Sequence, residues 1–265
     1  MIKQENFAKN ERGSFRSEAL SLLLVIMLAM AVRTFVLELF YVPTASMKAS
    51  ILEGDYIFST KYNYGYSIYS LPFNPDLFEG RIFANNPDRG DVIIMRPPHD
   101  MNERYIKRLV GLPGDKIQII DDLIYLNDHP IKRIEVGNYI DEKGVSFRKF
   151  KETLPNGCSY FSYKMKHPPT KAIIEQKNYG PHIIEKDHYF FIGDNRDNSG
   201  DSRYQLGTVP FKNLIAKGQF VLFSTKEAFW DSNESPLGQI KRLGTWLGSI
   251  RFSRFFCSLY EEGSK

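Results

Sequence analysis

A chain of 265 residues with 42% hydrophobic and 14% aromatic content can bury the core of one large domain, or of a domain with a smaller insertion, which excludes a disordered tail. The formal net charge of +4 is spread along the chain, arguing against nucleic acid as partner while leaving an anionic membrane surface a reasonable one. Two distant cysteines, Cys158 and Cys257, and five isolated histidines offer neither a disulfide framework nor zinc-ligand spacing, so no metal is expected.

In chain order, residues 1–18 carry Lys3, Lys9, Arg12 and Arg16 and read as a basic cytoplasmic N-terminus. Ala19–Val32 is almost purely apolar, and the "AMA" at Ala29–Ala31 resembles a signal-peptide cleavage site. Apolar character resumes after Arg33 and Thr34, however. Residues 19–42, with only Ser21, Arg33, Thr34 and Glu38 polar, are long enough at about 1.5 Å per residue to cross a bilayer. The expectation is a single-pass inner-membrane anchor with everything after Val42 exported. Arg33 and Glu38 would lie toward its far end, near the headgroups.

Beyond the anchor the sequence predicts a mainly β fold, with short strands at Asp55–Tyr62, Asp91–Arg96, Arg104–Val110, Lys116–Ile120, Leu123–Asn127, His188–Gly193 and Gln219–Ser224, separated by turn residues. An aromatic excursion from Tyr64 to Arg89 should pack over the core. Residues 128–187, of mixed polarity, read as a smaller lobe inserted between core segments 43–127 and 188–230. Residues 231–265 form a basic, aromatic tail. Its stripe of Leu243, Trp246, Leu247 and Ile250 either closes the core or lies in a membrane interface.

Three segments carry chemistry. "YVPTASMKAS" (Tyr41–Ser50) presents Ser46 just beyond a proline, a pattern equally suited to a polar turn ending a helix. "RYIKRLVGLPGD" places Lys107 in an otherwise β-favourable run, where alternation sends Tyr105, Lys107 and Leu109 to one face. A core-facing lysine there would be buried; a charged strand residue is otherwise solvated. "GDNRDNSGDSR" (Gly193–Arg203) is dense in Asp, Asn, Ser and Gly, but its carboxylates at 194, 197 and 201 do not follow an EF-hand register.

In this order, with "RGDV" at Arg89–Val92 between the first two, these blocks resemble type I signal peptidases, membrane-bound serine proteases that remove signal peptides. The resemblance covers the anchor and catalytic core. It implies Ser46 as nucleophile, Lys107 as general base, Thr44 as an oxyanion-hole hydroxyl and Ser199 as a partner of the lysine, with Asp201 and Arg203 as an ion pair shaping the last loop. It implies secreted preproteins with small residues at P1 and P3, the first and third positions before the cut, as substrates. No cofactor is implied. Ala45, Ala49 and Ser50 depart from the glycine, proline and threonine usual in the family's first block.

The chemistry agrees with the residue types. With no Ser-His-Asp motif evident, a neutral lysine is the available base, and this requires desolvation to bring its pKa down from about 10.4. Two rivals remain: a self-cleaving repressor, which the anchor and the absence of a DNA-binding helix pair disfavour, and a non-enzymatic, membrane-anchored envelope binding or assembly protein.

Overall fold

The computed structural model describes residues 2–71, 78–168, 177–227, 238 and 244–260, with side chains from Phe15 onward. Helix α1 (Ile2–Phe35) contains no proline, and within it Phe15–Phe35 is rich in Leu, Met and Ala, all strong helix formers. That stretch of 21 residues has a mean hydropathy of 1.9 and is buried nowhere in the protein, so it is long and apolar enough to cross a membrane.

The strands follow in chain order: β1 (Leu37–Tyr41), β2 (Asp55–Thr60), β3 (Val92–Met95), β4 (Tyr105–Gly111), β5 (Lys116–Ile120), β6 (Leu123–Leu126), β7 (His129–Pro130), β8 (Lys132–Ile140), β9 (Ser146–Thr153), β10 (Ser159–Met165), β11 (Tyr179–Ile183), β12 (His188–Ile192), β13 (Val209–Pro210) and β14 (Leu214–Ser224). Seven form one sheet in the order β1-β2-β14-β3-β4-β12-β13, a second sheet has the order β11-β5-β6-β7, and a third β10-β9-β8. Every strand pairing is antiparallel.

Each of the seven predicted strands coincides with an observed one, and the rest depart from expectation for physical reasons. The apolar run predicted to continue to Val42 leaves the helix at Phe35. Leu37–Tyr41, rich in aromatic side chains, instead pair with β2, and Phe40 and Val42 enter the core. Strand β8 escaped notice because it is a sheet edge exposed on both faces, so its sequence has no clean alternation. The boundary expected at residue 128 falls inside the second sheet, where β5 and β6 meet β7 and β11. The third sheet is no separate body either: Leu154, Cys158 and Tyr160 share a core with Val110, Phe190 and Ile192 of the main sheet.

The excursion after Tyr64 packs as expected where it is described, residues 72–77 lying outside the described part. The Tyr64 hydroxyl donates to Asp91 Oδ2 at 2.8 Å, and Arg81 donates to the carbonyls of Gly65 (2.7 Å) and Phe211 (2.9 Å). Of the tail stripe, Leu243 lies outside the described residues, while Ile250 bridges to Thr225. The tail beyond it closes the core. Leu259 is 3% exposed in the cluster holding Phe40 and Ile106, Tyr260 donates to Gly218 O at 2.8 Å, and Arg254 reaches the buried Asp55 at 2.5 Å. Leu259→Ala is therefore expected to lower the unfolding free energy of the detergent-solubilised chain by about 2–5 kcal/mol. A loss under about 0.5 kcal/mol in urea denaturation, the range of a surface substitution, would take the tail out of the core.

Candidate active site

Pro43 fixes an extended approach, Thr44 sits at φ −132° and ψ 154°, and the chain then tightens into a 3₁₀ turn over Ala45–Met47 that carries Ser46. The turn is held from the last loop: Asn195 N–H donates to Ser46 O and Asn195 Nδ2 to Ala45 O, both at 3.0 Å. Ser50, four residues on, donates to Asp194 Oδ2 at 2.6 Å. Lys48 pairs with Asp141, beyond the end of β8, at 2.5 Å.

Lys107 comes from β4, which lies between β3 and β12 in the main sheet and has both faces covered. Its side chain is 4% exposed, and Nζ stands 2.7 Å from Ser46 Oγ. Burial pushes the ammonium down to about 8, against the opposing pull of the Asp201 and Asp194 carboxylates. The core-facing alternative for this lysine thus holds. The neighbouring Arg108 is fully buried and forks onto Asp194 through Nε (2.9 Å) and Nη2 (2.8 Å), anchoring the loop to β4.

The other expected site residues converge here to different degrees. Thr44 Oγ1 lies 3.4 Å from Ser46 Oγ. Asp201 is fully buried and takes a two-pronged bond from Arg203, 2.8 Å on each arm, plus Gly193 N–H at 2.9 Å. Despite the cost of burial, Arg203 holds that carboxyl below its usual range. Ser199 Oγ is buried beside Gly193 but forms no hydrogen bond to Lys107. A Cβ on Gly193 would come within 2.1 Å of Ser199 Oγ and 2.6 Å of Ser46 O, so only glycine admits both. Each loop carboxylate is spent on a protein donor, Asp197 accepting Met165 N–H at 2.6 Å, which is not how a calcium loop presents them.

A cleft of ≈540 Å³ opens onto Ser46 and Lys107, floored by Phe40 and Ile106. Its walls are two strand edges. β1 ends the main sheet, and β12 meets β4 only from Arg108 onward, so Tyr105–Lys107 offer a free backbone edge. Glu38, expected near the headgroups, instead turns into the protein and pairs with Lys61 (3.0 Å) and Arg104. Sequence reasoning missed Arg108, Asp194, Asn195 and Glu38 as contributors. The one available signal was the Lys107-Arg108 doublet in an apolar strand, because two adjacent cations there both need buried partners.

A sequence profile of the family described as "Signal peptidase, peptidase S26" matches residues 16–223. The chain is similar to signal peptidase I of Rickettsia massiliae, with 52% identity over 264 residues and 98% of each chain covered. It is likewise 54% identical over 264 residues to signal peptidase I of Rickettsia typhi, with 98% of each covered. A crystal structure of a signal peptidase I from Enterococcus faecalis aligns with a TM-score of 0.30 and 24% identity, over 50% of this chain and 97% of that one. By its matched span and its full-length relatives, the chain belongs to the signal peptidase family, peptidase S26.

Proposed function

We infer that this protein is a serine endopeptidase that removes signal peptides from exported preproteins, with Ser46 as nucleophile and Lys107 as general base. The observation that carries the assignment of roles is the 2.7 Å contact between Ser46 Oγ and a lysine held at about 8 by burial. A binding module has no use for such a pair.

In the reaction the neutral Lys107 amine takes the Ser46 hydroxyl proton as Oγ attacks the scissile carbonyl. The developing oxyanion receives hydrogen bonds from Ser46 N–H and, after a small rotation, from the Thr44 hydroxyl. The lysine ammonium then gives its proton to the departing amine, leaving an ester on Ser46. Water, deprotonated by Lys107, hydrolyses that ester. After a rotation of its side chain, Ser199 accepts one ammonium hydrogen while the lysine is charged, and the Asp201–Arg203 pair holds the loop that carries it.

The apolar α1 serves as the anchor, with the N-terminus cytoplasmic and the cleft on the exported side, where substrates sharing the membrane plane meet it at raised effective concentration. The substrate lies as an added strand between the free edges of β1 and β4, with small residues at P1 and P3. Phe252 and Phe256, 73% and 68% exposed on the tail, dip into the interface beside Arg251 and Arg254.

Four outcomes test this reading. Lys107→Arg keeps the charge and size but cannot deprotonate, so preprotein cleavage in reconstituted membranes should vanish while circular dichroism is preserved; the parent rate should climb through about pH 8 and level off above it, since only the free amine is a base. A rate that is flat across that range excludes Lys107 as base. Thr44→Val should reduce kcat by about 10²–10³ with KM little changed, and an unaltered kcat places the hydroxyl elsewhere. Replacing Phe252 and Phe256 together by Ser should slow cleavage of a bilayer-embedded preprotein and leave a short soluble peptide unaffected; equal effects on both substrates would show that the tail does not touch the membrane.

A further inference from the structure

Thr44 provides no side-chain cap for the 3₁₀ turn that carries Ser46, and that turn closes through a backbone bond from Lys48 N–H to Ala45 O at 3.1 Å. A single bond of this kind is poorly aligned, so the turn keeps its shape only where it is held from outside. Asn195 holds its leading side, at the carbonyls of Ala45 and Ser46. On the trailing side Lys48, two residues after Ser46, reaches out to the hairpin of β8 and β9.

Asp141 is placed to receive it. It follows the last residue of β8 and shapes the hairpin turn, its Oδ1 accepting the N–H groups of Lys143 at 3.0 Å and Val145 at 2.8 Å. Oδ2 is left for Lys48 Nζ at 2.5 Å, with the lysine side chain 18% and the carboxylate side chain 4% exposed. The ammonium also lies 5.4 Å from the centre of the Phe147 ring on β9. Water screens such a pair weakly, so it holds one geometry where an exposed pair would exchange.

The hairpin belongs to the same body as Asn195. Tyr139 and Phe147 pack on the Tyr163 ring with centroids 4.9 and 5.7 Å away; Tyr163 N–H donates to Asp194 O at 2.8 Å, and Tyr163 O accepts Arg196 N–H at 2.9 Å. The contacts close a ring: from Ser46 to Asn195, along the loop to Tyr163, across the aromatic rings to Phe147 and Asp141, and back through Lys48. A single tether would leave the turn a pivot, and the second one removes it.

We propose that Lys48 is a positioning residue, whose ion pair with Asp141 fixes the trailing side of the turn and so keeps Ser46 Oγ within reach of Lys107 Nζ. This inference rests on the assignment of Ser46 as nucleophile and Lys107 as base. Lys48 is not among the residues that line the substrate cleft, so its loss should act on turnover and spare substrate binding.

The experiment uses the full-length protein in detergent micelles and a synthetic peptide with Ala at P1 and P3. Lys48→Met keeps an apolar stem on Phe147 and removes the charge; Asp141→Asn keeps an acceptor for the hairpin turn and removes the anion. Each should lower kcat by about tenfold to a hundredfold, the scale of a displaced reacting group, with KM within about twofold of the parent. The double variant should fall no more than about twofold below the weaker single variant, because the two side chains form one contact. Lys48→Arg, which can meet the same carboxylate, should stay within about threefold of the parent kcat. Near-UV circular dichroism and urea denaturation give the folded fraction, and kcat is taken per folded molecule. A parent-like kcat in Lys48→Met overturns the proposal, as do a change confined to KM, losses that multiply in the double variant, or an Arg variant as impaired as the Met one. None of these results touches the peptidase assignment. A parent that cuts neither the peptide nor a preprotein removes that assignment and this proposal with it.

Discussion

A lysine has to be uncharged to act as a base, and the role proposed for Lys107 depends on its burial against Ser46. The amine occupies a strand covered on both faces, with the Tyr105 ring centroid 5.2 Å away. Loss of hydration outweighs the two carboxylates that would favour the ammonium. Too few anions nearby would leave the conjugate acid unstable once formed, and one in direct contact would hold it protonated. Asp201 and Asp194 avoid the second outcome because each is already committed to a guanidinium, Arg203 and Arg108 respectively.

Those committed pairs also account for how the Gly193–Arg203 loop is built. Arg108, adjacent to Lys107 in sequence, points to the opposite face of β4 and grips Asp194; Asp194 receives Ser50 from the segment that carries Ser46; and Asn195 holds the Ser46 carbonyl. The strand that carries Lys107 and the segment that carries Ser46 are thus tied to one loop through separate bonds. Removing one member of such a buried pair strands the other, at a cost of about 3–5 kcal/mol, so the geometry at Ser46 and the stability of the fold are coupled.

The segment read as an inserted lobe belongs to the same arrangement. Tyr163 of β10 bridges to Asn195, Arg196 donates to Glu152 of β9, and Tyr160 and Ser162 donate to that same fully buried carboxylate at 2.8 and 2.9 Å. The third sheet therefore braces the loop as well. Lys48–Asp141 adds a contact from the β8 end to the nucleophile segment, whose positions 49 and 50 lack the proline and threonine usual in the family. The rigidity a proline would supply locally comes here from bonds made to distant residues.

Local chemistry in the sequence determined much of the protein. The apolar run of α1, the short alternating strands, the proline before Ser46, the lysine in β4 and the polar loop at Gly193–Arg203 are all legible because each depends on neighbours in the chain. Tertiary structure alone decided the partners. Whether Lys107 faced water or core depended on strands that flank β4 from elsewhere in the sequence, and alternation within seven residues cannot report what lies across a face. Leu37–Tyr41 was apolar enough to extend a membrane helix and became a strand because β2 was available to pair with it. Glu38 likewise could have reached headgroups, and turned inward because Lys61 and Arg104 converge on it there. Burial of charge is set by which opposite charges arrive from far along the chain, and only the folded arrangement contains that information.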